Sequence, residues 1–159
     1  MSTNAIHAPD AAPVAASTTV GAVTLTVSDL ARARDFYERV LGLVAVDPAG
    51  DNTREVALGA PDGRRLVALR EDRGAPPRDA RSPGLFHLAL LLPTRRDLAD
   101  TLLRLAHARH PLSGASDHLV SEALYLSDPD GNGIELYVDA SDVWKREPQR
   151  VAFAEPMEL

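Results

Sequence analysis

His87, His118 and Glu135 are the side chains with which this chain could do chemistry. Imidazole and carboxylate together bind divalent transition metals, and two histidines with one carboxylate and open positions suit ferrous iron or a related ion. The same groups work as general acids and bases. Each also has a plainer reading. A histidine inside Phe86-His87-Leu88 suits a hydrogen-bonded place in a core, His118 could cap a turn after Asp117, and Glu135 could face water from an edge strand. Glu135 lies between Ile134 and Leu136, so on a strand its carboxylate points to the face opposite its apolar neighbours.

Those residues need elements to hold them. Asp128-Pro129-Asp130-Gly131 is turn chemistry: proline presets φ and glycine is free to take φ > 0. It separates two alternating runs, Leu119 to Ser127 and Gly133 to Asp139, and so predicts a β-hairpin with a histidine on one strand and Glu135 on the other. Upstream, Leu85 to Leu92 reads as the strand that carries His87. Thr94 then caps a helix with Leu98, Leu102, Leu103 and Leu105 turned inward. His107 and His110 fall near the end of that helix, where positive charge is favourable, and are assigned to its termination.

The first half of the chain shows the same order. Val20 to Val27 alternates as a strand, Ser28-Asp29 offers an N-cap, and Leu30, Ala33, Phe36, Tyr37, Val40 and Leu41 share one helical face that ends at Gly42. Strands at Leu43 to Val46, Arg54 to Gly59 and Arg65 to Arg70 follow, the last after the turn Ala60-Pro61-Asp62-Gly63. The first strands of the two halves superpose with an offset of 65 residues, Ala22 on His87, and the Pro-Asp-Gly turns with an offset of 68. Ordered matches of strand, helix and turn at nearly one offset argue for a duplicated βαβββ module. The expected organisation is a disordered leader over 1–19, a first module over 20–72, a proline-rich linker over 73–83, a second module over 84–140 and a C-terminal extension over 141–159. The halves differ in chemistry. Ala22 stands where His87 stands, and Val67 or Ala68 where Glu135 stands.

Composition narrows the classes of function. The chain has 159 residues, 17 Lys plus Arg against 23 Asp plus Glu, and a net charge of -6. With no basic stripe interleaved with aromatics, nucleic acid and anionic membrane are poor partners. There is no cysteine, which removes disulfides, thiolate metal sites and a cysteine nucleophile. No run approaches the roughly 20 apolar residues that span a bilayer, so membrane insertion is not expected and the cytoplasm is the default compartment. A pair of modules leaves sheet edges and a cavity rim open, which makes a homodimer the expected assembly, with Trp144 and Phe153 as candidate contacts.

The segments VTLTVSDLARARDFYERVLGL, GLFHLALLLP and SDHLVSEALYLSDPDGNGIELYVD together resemble the vicinal oxygen chelate superfamily of glyoxalase I, bleomycin-resistance proteins and extradiol dioxygenases. The resemblance covers about Val20 to Trp144 and is nearest to the first module pair of catechol 2,3-dioxygenase-like proteins. It implies an α+β fold of paired βαβββ modules whose curved sheets surround a cavity. It also implies His87 and Glu135 as ligands of a divalent metal (Fe, Mn, Zn or Ni) and His118 as the neighbouring acid or base. The implied function is a metal-dependent dioxygenase or lyase acting on a small, catechol-like substrate with vicinal oxygens. Ala22 and Ala68 occupy ligand positions of that family, and alanine cannot coordinate. The alternative is therefore a metal-free small-molecule or drug-binding protein of the bleomycin-resistance type, or a module whose site a partner chain completes.

Overall fold

A computed structural model describes residues 13–47, 54–76, 78, 83–140 and 155–156. β1 (Val23–Val27) leads into α1 (Leu30–Asp35), where the Asp29 carboxylate accepts from the Arg32 amide at 3.0 Å. The helix widens into a π-turn over Phe36–Val40, closed by the Leu41 amide donating to the Phe36 carbonyl. This turn carries Phe36 and Tyr37 into the core, and Gly42 ends it at φ +86. β2 (Val44–Asp47), β3 (Glu55–Gly59) and β4 (Arg65–Glu71) complete a sheet of order β1-β4-β3-β2, with β1 parallel to β4 and the other pairs antiparallel.

The second half repeats the plan. β5 (Leu88–Leu91), α2 (Arg95–His107), β6 (Gly114–Asp117), β7 (Ser121–Ser127) and β8 (Gly133–Asp139) form the order β5-β8-β7-β6, and β9 (Glu155–Pro156) adds a fifth strand beside β6. β5 is parallel to β8 as β1 is to β4. The expected α+β fold of two βαβββ modules is therefore present. Leu88, Leu90, Leu124, Leu126, Ile134, Leu136 and Val138 alternate inward along their strands and join Leu98 and Leu105 of α2 in one core with the first module.

Some expectations needed correction. Leu103 does not turn inward; it is 58% exposed, because Leu98, Thr101 and Leu105 already fill the buried stripe and five residues from Leu98 lies well off it. Gly114–Asp117 forms a strand that the sequence reading passed over, since Gly-Ala-Ser-Asp has no apolar alternation. Neither histidine lies inside a strand. His87 precedes β5 by one residue, and His118 sits in the turn between β6 and β7. His110 does more than end α2: its Nε2 lies 2.8 Å from the Ser127 carbonyl, and its ring packs 4.8 Å from Phe36 of the other module. Trp144 and Phe153, and the first twelve residues of the leader, fall outside the described residues.

The modules are latched where β7 turns into β8. Asp128 is 5% exposed and accepts from the Tyr37 hydroxyl at 3.1 Å, and from the Asp130 amide, the Asn132 amide and the Asn132 side chain within its own turn. Asp130 accepts from the Ser28 amide at 3.0 Å, from its hydroxyl at 2.5 Å and from Arg32 at 3.0 Å. Gly131 supplies the φ of +85 the turn requires.

Candidate functional site

The β7–β8 register sets Tyr125 directly opposite Glu135. Leu124 and Leu126 point into the core, so Tyr125 emerges on the opposite face beside the carboxylate. β5 enters that face because Gly133 has no side chain: a Cβ there would lie 2.6 Å from the Phe86 carbonyl and 3.3 Å from the His87 Cβ. On the far side, the His118 amide donates to the Ser121 carbonyl and Leu119 takes the left-handed φ of 65, which aims His118 back over β7.

The four side chains form one hydrogen-bonded chain. His87 Nε2 lies 2.8 Å from Glu135 Oε2, the Tyr125 hydroxyl donates to Glu135 Oε1 at 2.9 Å, and His118 Nε2 lies 2.8 Å from the Tyr125 oxygen. Tyrosine has one proton and directs it to the carboxylate, so its oxygen accepts from His118, whose hydrogen then sits on Nε2. The same logic puts the His87 hydrogen on Nε2. The His87 and Glu135 side chains are 29% and 16% exposed, open enough for a ligand. Burial, and after it the hydrogen bond and charge of Glu135, push the Tyr125 hydroxyl up to about 12, so it is a neutral donor at pH 7.

The sequence-predicted residues thus come together in part. His87 and Glu135 touch, whereas His118 reaches Glu135 only through Tyr125, a residue that sequence reasoning missed. The signal was available: a hairpin turning about Asp130 pairs the residue five before with the residue five after.

Superposing the registers of the two halves makes their difference concrete. β1 and β4 pair as β5 and β8 do, with Ala68 in the place of Glu135, and β3 and β4 pair as β7 and β8 do, with Ala57 in the place of Tyr125. Ala22 precedes β1 as His87 precedes β5. All three counterparts are alanine.

A divalent metal can be tested against this donor set. Two cis ligands held at about 2.1 Å from one ion lie about 3 Å apart, which the 2.8 Å between His87 Nε2 and Glu135 Oε2 satisfies. A third donor is lacking among the described residues. No group of three His, Cys, Asp or Glu gathers among the described residues. The pair fits one edge of a metal site, and the chain's described residues do not complete it.

Comparison with known proteins agrees with the geometry. The profile of the Glyoxalase/Bleomycin resistance protein/Dioxygenase superfamily matches residues 19–136. Catechol-2,3-dioxygenase of Bacillus subtilis is 42% identical over 133 residues, which are 82% of this chain and 45% of that protein. Biphenyl-2,3-diol 1,2-dioxygenase 3 of Rhodococcus globerulus is 32% identical over 72% of this chain and 60% of its own length. The chain thus spans about half the length of the curated relatives it matches. Among solved structures, a glyoxylase/bleomycin resistance protein/dioxygenase domain from Frankia sp. EAN1pec superposes with a TM-score of 0.66 at 27% identity, covering 78% of this chain and 93% of that one. A glyoxalase/dioxygenase from Nostoc punctiforme, at 21% identity and the same TM-score over 88% of this chain and all of that one, shares the fold. With the duplicated βαβββ plan, the profile match over most of its length and these relatives in agreement, the chain belongs to the Glyoxalase/Bleomycin resistance protein/Dioxygenase superfamily.

Proposed function

We propose that this chain carries the proton-handling and recognition half of a dioxygenase-type site for a small aromatic substrate with vicinal oxygens, a catechol by analogy with the relatives named above. The observation that carries this reading is the unbroken chain from His87 through Glu135 and Tyr125 to His118. A divalent metal, held by His87 and Glu135 once a third donor joins them from outside the described residues, would supply Lewis acidity toward the substrate oxygens. For His87 to coordinate through Nε2, its hydrogen must move to Nδ1.

The other roles belong to the chain's own residues. Glu135 would accept the proton of a phenolic hydroxyl, and the neutral Tyr125 is hydrogen-bonded to it in the same chain. As the hydrogens stand, His118 Nε2 donates to Tyr125 and Tyr125 to Glu135, so a proton taken up at the carboxylate can leave at the histidine end only once the His118 hydrogen has moved to Nδ1 and Nε2 is free to accept from Tyr125. Phe86, 83% exposed beside His87 with ring centroids 5.1 Å apart, offers an apolar flank to an aromatic ring.

Catechol titration followed by NMR, with and without Mn(II) or Zn(II), tests this. Wild type should bind catechol, and the metal should tighten binding. Tyr125→Phe and His118→Ala should each weaken it by about tenfold, the worth of one hydrogen bond in a partly buried site. Glu135→Gln should abolish the gain from metal. Catechol affinity indifferent to both Tyr125 and His118 would sink the proposal. The metal-free reading rests on Ala22 and Ala68, the counterparts of His87 and Glu135 in the first half, and would be favoured by affinity that survives EDTA and Glu135→Gln unchanged.

A further inference from the structure

Beside the latch, and lined by none of His87, His118, Tyr125 and Glu135, lies a cavity of about 280 Å³ at the seam of the two modules. Thr26, Ser28 and Arg32 line it from the first module, Ala75, Pro76 and Arg78 from the connecting segment, and Pro129, Asp130 and Asn132 from the β7–β8 turn. Its charged lining is two guanidiniums against one carboxylate.

That carboxylate is already paired through one of its oxygens. Burial pushes Asp130 up, but the hydrogen bonds of Ser28 and the charge of Arg32 outweigh it and hold the group below its ordinary value. Its Oδ1 accepts from Ser28 and Arg32, and its Oδ2 is shut off from solvent, so neither oxygen presents itself to an incoming ligand.

Arg78 is different. Its Nη1 donates to the Gly131 carbonyl at 3.1 Å and its Nη2 to the Leu85 carbonyl at 2.7 Å, and no carboxylate among the described residues pairs with it. Two carbonyls orient the guanidinium without cancelling its charge, which leaves a fixed cation with unused N–H groups on the cavity. Arg32 also keeps donors in reserve, since both of its bonds, to Ser28 and Asp130, come from Nη2. Thr26 lines the same space from β1.

We infer that this cavity is a binding site for a small oxyanion, a phosphate or carboxylate group held between Arg78 and Arg32. A guanidinium presents paired N–H groups that match two oxygens of such an anion. Because the lining comes from both modules and the segment between them, a bound anion ties the three together and stiffens the turn that carries β7 into β8.

The test is NMR titration of the full chain with inorganic phosphate, and separately with acetate, at constant ionic strength balanced by chloride. Saturable shifts at Thr26, Ser28, Gly131 and Asn132, with a rise in melting temperature that follows occupancy, are expected. Arg78→Ala should weaken binding at least about tenfold, and Arg78→Lys should recover part of it. Because loss of Arg78 also frees the Leu85 and Gly131 carbonyls, Thr26→Val serves as a second variant that leaves the latch intact and should weaken binding by about threefold. Equal shifts with chloride alone, no saturation by either anion, or affinity unchanged in both Arg78→Ala and Thr26→Val would overturn the inference. Phosphate binding with acetate inert, or the reverse, names which oxyanion the cavity takes.

Discussion

The single hydroxyl proton of Tyr125 points at Glu135, and everything at the site is ordered around that choice. Tyr125→Phe removes two hydrogen bonds at once and leaves His118 and Glu135 no longer connected. The expected result is a fold kept intact by circular dichroism, with the His118 ring resonances shifted in NMR spectra at fixed pH by the loss of the Tyr125 oxygen. Resonances of His118 unmoved by the substitution would count against the contact. Gly133→Ala works from the other side. Its Cβ would collide with the Phe86 carbonyl, so the start of β5 must retreat, at a cost of about 1–3 kcal/mol in urea melts and with loss of the His87 to Glu135 contact. Of the candidate site, His87, His118 and Glu135 stand out in the sequence because their types are chemically distinctive. Tyr125 was hidden among the alternating residues of a strand, where an aromatic residue is ordinary and only the hairpin register reveals its partner.

At the scale of elements, the turn between β7 and β8 carries more than a change of direction. Asp128 collects four donors, one of them the Tyr37 hydroxyl from the first module. Asp128→Ala would strand those donors in a buried place and should destabilise the whole chain by about 3 kcal/mol or more, read as an earlier urea midpoint. Thr94→Ala, which removes the cap at the start of α2, should cost only about 1 kcal/mol by the same measurement. A ranking in the opposite order would mean that the latch is ornamental. Helices and long strands were evident from apolar periodicity and capping residues. β6 was not, because its four small or polar residues owe their extended form to pairing with β7. The π-turn at Phe36–Val40 is not legible either: the apolar periodicity there predicts plain helix, and the contact of Tyr37 with Asp128 of the other module leaves no local pattern.

Across the whole molecule, the tyrosines make one further prediction. All three have hydroxyls raised above the ordinary value: Tyr37 by burial and then Asp128, Tyr125 by burial and then Glu135, Tyr137 by burial and then Asp139 and Glu135. A raised folded-state value favours the protonated form, so this stabilisation is complete below the unfolded value of about 10 and is lost as pH rises through the folded values. For Tyr125 the loss falls between about 10 and about 12. Phenolate absorbance of the native protein at pH about 10 should therefore stay well below that of the urea-unfolded chain, where each tyrosine is about half ionised. Equal absorbance would show that these hydroxyls are open to water. The duplicated plan was visible in the sequence through its offsets. That both halves share one core was not, since the contacts that join them run between residues about a hundred positions apart.

The three alanines that stand against His87, Tyr125 and Glu135 bear on how such a repeat can change over time. Ala57 and Ala68 are 7% and 4% exposed, whereas Glu135 and Tyr125 are partly open. Stripping the second half of its chemistry takes single substitutions that leave only modest gaps. Installing it in the first half would push a carboxylate into a closed place before any imidazole or phenol stood there to receive it, a step costing several kcal/mol against a total stability of about 5–15. Loss is open by single steps and gain is not, so in this architecture drift between the halves runs downhill in one direction, and a twin that has gone silent stays silent.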